Sequence, residues 1–210
     1  MRRIAFLAGF LALLAAAPLR ADNIDVRDAA LRPTVEGMVL DADFAFELTP
    51  RLAEAVANGV PLYFRIEFEM TRPRWWWFDE RAASAVLQMR LSYHALSRHY
   101  RLAVGGEEQN LLEQSLLQQN FATLDEALAV MKHVRNWLVV DRTVGFSRSD
   151  YQAAVRMRLD TSLLPKPFQL SAITSRELHL ESPWQRFIVH SPQQLPAPVE
   201  SREPTRPEGR

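Results

Sequence analysis

Leu62-Tyr63-Phe64-Arg65-Ile66-Glu67-Phe68-Glu69-Met70-Thr71 carries an apolar residue at every second position and a polar or amphipathic one between. Unbroken period two is the pattern of a strand with one buried and one wet face. Leu62, Phe64, Ile66, Phe68 and Met70 are the expected core residues, and Tyr63, Arg65, Glu67, Glu69 and Thr71 face outward. After Arg72-Pro73-Arg74 and Trp75-Trp76-Trp77-Phe78-Asp79-Glu80 the alternation resumes, with Ala85, Leu87, Met89, Leu91 and Tyr93 against Val86, Gln88, Arg90, Ser92 and His94. A third run places Tyr100, Leu102 and Val104 on one face before Gly105-Gly106 ends it. The centre of the fold is therefore an antiparallel meander with a basic, tryptophan-dense corner.

Upstream, Ile24, Val26 and Ala29 predict a short strand broken at Arg32-Pro33. Val35 to Phe46 reads as a second strand whose inward face switches between Gly37 and Leu40, the mark of a bulge. Thr49-Pro50 and Asn58-Gly59 bound a short helix with Leu52, Ala55 and Val56 as its apolar stripe. Downstream, the leucine- and glutamine-rich segment 110–119 reads as a strand from Leu112 to Leu117. Thr123-Leu124-Asp125-Glu126 is a capping box. Leu124, Leu128, Met131, Val134 and Leu138 follow at helical spacing, which predicts a helix over 124–137 with His133 on its polar face.

Tyr151 to Leu159 alternates cleanly, and Asp160 or Thr161 is placed to cap the turn that Leu164-Pro165-Lys166-Pro167 stiffens. Two short strands, near Leu178–Leu180 and Gln185–Val189, complete the reading. The fold class is mainly β: an antiparallel β-sandwich or open barrel with two helices at strand connections. A parallel α/β sheet would need strands apolar on both faces, which these are not.

The N-terminus has a different character. Met1-Arg2-Arg3 precedes an uncharged apolar run from Ile4 to Ala17, shorter than the roughly 20 residues of a membrane-spanning helix. It reads as a secretory signal peptide over 1–21, cut after Ala21, with an uncleaved anchor as the alternative. A single domain over 22–190 and a disordered tail over 191–210, with Pro192, Pro196, Pro198, Pro204 and Pro207, account for the rest. Removing Arg2, Arg3 and Arg20 takes the bases from 25 to 22 against 25 acids, a net charge of about −3. A nucleic-acid binder shows a basic excess instead, so nucleic acid is not an expected partner. The chain has no cysteine, hence no disulfide, thiolate or lipoprotein chemistry.

Residues that could carry chemistry are few. In a strand, Trp75 and Trp77 share a face and Trp76 takes the other, beside the guanidiniums of Arg72 and Arg74. Exposed tryptophan and arginine dominate interface hot spots, and they also suit a membrane-surface contact. The competing reading puts Trp75 and Trp77 in the core and Trp76 under an arginine as a cation–π pair. Glu67 and Glu69 sit two apart on one face, the arrangement of a glycosidase pair, but far more often that of a wet strand face pairing with Arg90 or Arg101. His94, His99, His133, His179 and His190 show no metal-ligand spacing. Gly145-Phe146-Ser147-Arg148 resembles a nucleophile elbow only superficially, and no glycine-rich phosphate loop exists. The expectation is no catalytic residue, no metal and no cofactor.

The export signal, the Trp75 to Glu80 run, Leu91-Ser92-Tyr93-His94-Ala95-Leu96-Ser97-Arg98-His99-Tyr100-Arg101, Phe121 to Leu128 and the Leu159 to Pro167 run together resemble the domain of unknown function 4390 family, a group of exported proteobacterial proteins. The resemblance covers about 22–190. It carries no activity and no site residues. It implies a companion of a membrane-bound sensor histidine kinase of the nitrogen-regulation type, by gene neighbourhood. The leading expectation is a non-enzymatic periplasmic accessory protein that binds a periplasmic or inner-membrane protein through Arg72, Arg74, Trp75, Trp76 and Trp77. A carrier or sensor of an apolar small molecule is the first alternative, and a hydrolase of envelope polymers acting through Glu67 or Glu69 is the second.

Overall fold

The computed structural model describes residues 24–72, 80–106, 117–143, 150–166, 168 and 178–189. Its elements are β1 (Asp25–Pro33), β2 (Gly37–Ala45), α1 (Pro50–Ala57), β3 (Leu62–Arg72), β4 (Glu80–His94), β5 (His99–Gly106), β6 (Leu117–Phe121), α2 (Leu124–Met131), β7 (His133–Asp141), β8 (Tyr151–Leu159) and β9 (Gln185–Val189), with a 3-10 turn over Thr161–Leu163. They form two antiparallel sheets: three strands in the order β1-β2-β7 and six in the order β6-β5-β4-β3-β8-β9. The protein is a mainly β, antiparallel sandwich with two helices.

The meander is as its alternation predicts. Phe64 pairs with Met89 on β4 and with Leu159 on β8, so β3 is a central strand buried on one face. Leu62, Phe64, Ile66, Phe68 and Met70 are sealed from solvent and meet Leu40, Phe44, Val134 and Val140 of the smaller sheet in one core. At about 25 cal/mol per Å² of apolar surface, each fully buried side chain of this kind contributes about 1.5–3 kcal/mol. α1 is capped as expected: Thr49 accepts from the Leu52 N–H at 3.3 Å, proline sits in the first turn, and Leu52, Ala55 and Val56 are buried.

Several expectations are corrected. β1 continues through Pro33, which pairs with Met38, because at the end of an edge strand proline's missing N–H faces no neighbour. β6 begins at Leu117 and reaches Phe121, so it lies beyond the expected Leu112–Leu117 strand, whose residues 112–116 are outside the described ones. Leu178–Leu180 is no strand. Pro183, without an N–H, interrupts the ladder against β8, leaving the single Arg158–Glu181 bridge before pairing resumes at Gln185.

The largest correction concerns 124–137. The capping box forms, with Glu126 reaching back to the Thr123 N–H, but the helix stops at Met131 and His133–Asp141 is a strand on β2. Two register shifts explain why this strand resembles a helix. Asp41 faces both Arg135 and Asn136, the latter left-handed at φ 54°, and Val139 is extra between Val140 and Leu138. The apolar residues therefore stop alternating, and Val134 and Leu138 fall by chance at helical spacing from Met131. The bulge expected near Gly37 to Leu40 is the same irregularity seen from β2.

Candidate functional site

Opposed residues of an antiparallel pair share a face, so the register fixes what the solvent side of the six-stranded sheet presents. On β3 and β8 the opposed outward pairs are Arg65 with Arg158, Glu67 with Arg156 and Glu69 with Ala154. On the other side of β3, Tyr63 opposes Arg90, and across β4 and β5 Arg90 opposes Ala103 while Ser92 opposes Arg101. Arg186 of β9 faces Ala154. The file of arginines lies across the outer face of a chain whose overall charge balances.

Glu67 anchors one half of this face. Its Oε2 accepts from Arg156 Nε at 2.6 Å and its Oε1 from Arg158 Nε at 3.1 Å, with Arg65 Nε 3.6 Å away. Burial pushes the Glu67 carboxyl up, but the hydrogen bonds and charges of Arg156 and Arg158 outweigh it and hold it below the usual glutamate value. Arg156 also stacks 4.5 Å from the ring centroid of Trp184. Beside that ring, Glu69, Thr71, Gln152, Ala154 and Arg186 line a shallow pocket of about 160 Å³. Glu69 pairs with Arg81 at 3.4 Å.

Among the described residues, the outward positions of β4 from Val86 on, of β5 and of β6 carry no acid. The Nε atoms of Arg90 and Arg101 are buried and have no hydrogen-bond partner among the described residues. A buried donor without an acceptor costs about 1–3 kcal/mol. Between these two arginines Ala103 is buried although it points outward, and its methyl group leaves room for the arginine stems.

The expected sites fare unevenly. Glu67 and Glu69 are paired, but not with Arg90 or Arg101: Glu67 takes Arg156 and Arg158, because β8 lies beside β3 on the side away from β4, and Glu69 takes Arg81 near the start of β4. A carboxyl held low by two guanidiniums is ionised near neutral pH and is no general acid. Arg72 is the last residue of β3, half-buried and opposite Glu80. Arg74, Trp75, Trp76 and Trp77 lie outside the described residues, as do the segment 1–23, Gly145 to Arg148, His190 and the tail.

His133, the first residue of β7 rather than a helix residue, bonds Asp43 at 2.6 Å. His94 and His99 oppose each other at the β4–β5 turn and bond within it, to the hydroxyl and the carbonyl of Ser97 respectively. Among the described residues no group of three metal-ligating side chains converges, and no helix is long and apolar enough to cross a membrane. Asp160 caps the 3-10 turn as expected, accepting from the Ser162 N–H at 3.1 Å.

The arginine face was missed by reading motifs strand by strand. Its signal was present: Arg65, Arg90, Arg101, Arg156 and Arg158 all fall on the outward phase of their strands.

The described residues also line two other concavities. Glu47, Leu48, Leu124, Leu128, Lys132 and His133 line a groove of about 510 Å³ between the helices. Ala29, Ala30, Leu31, Met38, Phe187 and Ile188 are among the residues lining an apolar crevice of about 330 Å³ where the edge strands β1 and β9 meet.

The chain has no match among curated proteins or among solved structures. A family model described as Domain of unknown function (DUF4390) matches residues 21–188, most of the chain, and the protein belongs to that family.

Proposed function

We propose that the protein is a non-enzymatic periplasmic accessory protein that binds a periplasmic or inner-membrane protein. The contact combines the outer face of the six-stranded sheet with Arg72 at the end of β3 and with Arg74, Trp75, Trp76 and Trp77, which come next in the sequence. The observation that supports this reading is the arginine file, with guanidiniums packed half-buried on a sheet face instead of extended into water. Arginine held this way is pre-organised for carboxylates on a partner. A membrane-bound sensor histidine kinase is the first candidate, on the family resemblance alone.

The test is a photo-crosslinking residue at position 76 in living cells. A discrete adduct with one inner-membrane or periplasmic protein, reduced by Arg74→Ala with thermal unfolding unchanged, is expected. Adducts confined to the chain itself would defeat the reading.

The crevice between β1 and β9 favours a second reading, a carrier of an apolar small molecule, since its volume lies at the small end of ligand sites. An environment-sensitive apolar dye should then bind saturably and be excluded by Ala30→Trp.

A further inference from the structure

We propose that Arg90 and Arg101, with Tyr63, Ser92 and Asn120 around them, form a binding site for a phosphate group, carried either by a free phosphate or by an anionic lipid headgroup. The register brings the five residues together. Arg90 stands between Tyr63 on β3 and Ala103 on β5, and Arg101 between Ser92 on β4 and Asn120 on β6. Arg90 and Arg101 are thus diagonal neighbours on one face, a relation that spans roughly 7–8 Å and that long side chains bridge.

Both Nε–H groups are out of solvent and lack an acceptor among the described residues. The outward acids nearest in the register are engaged elsewhere. Glu67 is held by Arg156 and Arg158, and Asp160 accepts from the Ser162 hydroxyl at 2.5 Å and lies 3.8 Å from Arg65. Among the described residues the pair is a concentration of positive charge without a countercharge of its own.

Donor count selects the ligand class. Each guanidinium offers five N–H donors, and Tyr63, Ser92 and Asn120 add neutral ones. A carboxylate has about four lone-pair positions, which two guanidiniums fill as Arg156 and Arg158 do at Glu67, leaving the donors of Tyr63, Ser92 and Asn120 unused. A tetrahedral phosphate, with three or more oxygens pointing in different directions, uses two forks at once. The site lies on the sheet face proposed above as the protein contact, and it is tested apart from that reading because phosphate and vesicle titrations contain no partner protein.

The experiment is a titration of the purified full chain with inorganic phosphate at constant ionic strength, followed by the arginine Nε–H resonances. Flotation with vesicles of phosphatidylglycerol, and with vesicles of phosphatidylcholine as control, runs in parallel. Saturable shifts at Arg90 and Arg101, with affinity lowered at least tenfold by Arg90→Gln or Arg101→Gln and less than twofold by Arg186→Gln, are expected for a free-phosphate site. Flotation with phosphatidylglycerol alone, lost in the same two variants, assigns the phosphate to a lipid. Arg101→Lys, which keeps the charge and loses the fork, should weaken binding at least threefold and guards against variants that fail to fold. Absence of both responses, or responses unchanged in Arg101→Lys and in every folded Gln variant, overturns the proposal.

Discussion

Arg156 donates its Nε–H to Glu67 at 2.6 Å while its guanidinium lies over the ring of Trp184, so one side chain ties β8 to β3 and to the segment leading into β9. Glu67 is only 14% exposed and stands among three arginines. Replacing it by glutamine leaves those charges crowded and unneutralised. Glu67→Gln should destabilise by about 1.5–3 kcal/mol, the range for hydrogen bonds to charged groups. The shift of the urea midpoint at constant slope measures it, and a change under 0.5 kcal/mol would mean the cluster is idle.

The same carboxyl gives the fold an acid limit. Its pKa is below the ordinary 4.5 when folded, so its stabilisation is complete above pH 4.5 and is lost as pH falls through the lower folded value. Asp43, lowered by its hydrogen bonds from His133 and Arg135, acts in the same direction from the ordinary 3.8. Stability measured between pH 5 and pH 3 should therefore fall with pH, and Glu67→Gln should flatten the upper part of that slope. An unchanged slope would remove Glu67 from the account.

Gly37 has φ +150°, and a Cβ there would overlap the carbonyl oxygen of Val140 on β7. Relief requires the β2–β7 ladder to separate. Gly37→Ala should cost at least about 1–3 kcal/mol, the usual strain of such a backbone before the overlap is counted. Thermal unfolding of the variant tests this.

Core and surface hydrophobics should separate sharply. Phe64 is 0% exposed and packs 5.6 Å from the Phe46 ring, so Phe64→Ala should cost about 3–5 kcal/mol. Leu96, 94% exposed at the β4–β5 turn, should tolerate serine within about 0.5 kcal/mol. Comparable losses in the two variants would contradict the burial described.

The capping box offers a smaller, local measure. Thr123 accepts from the Glu126 N–H at 3.3 Å, and Thr123→Ala should cost about 1 kcal/mol, read from the denaturation midpoint.

What the sequence disclosed follows the range over which its signals act. β3, β5, β8 and β4 from Ala83 on keep an unbroken period of two, and the helix starts carry their caps, so each was legible from neighbours a few residues apart. β7 was not, since its two bulges exist only through pairing with β2, and local spacing around Met131 imitates a helix. The candidate face depends on neighbours still farther apart. That Arg156 and Arg158 sit beside Glu67 follows from β8 docking on β3, and no residue near Glu67 announces it.

The β2–β7 ladder also decides when the sandwich can close. Asp43 and His133, paired across it, are separated by 90 residues of chain. Three strands of the larger sheet, β3 to β5, and the β1–β2 hairpin use local contacts, and these form fast. A chain made from its N-terminus can build both pieces early. It holds them with one hydrogen-bonding edge of β2 unpaired until β7 arrives. The interval before Val134 and Val140 dock is then the window in which a chaperone has work to do, and in which β2 is open to the wrong strand.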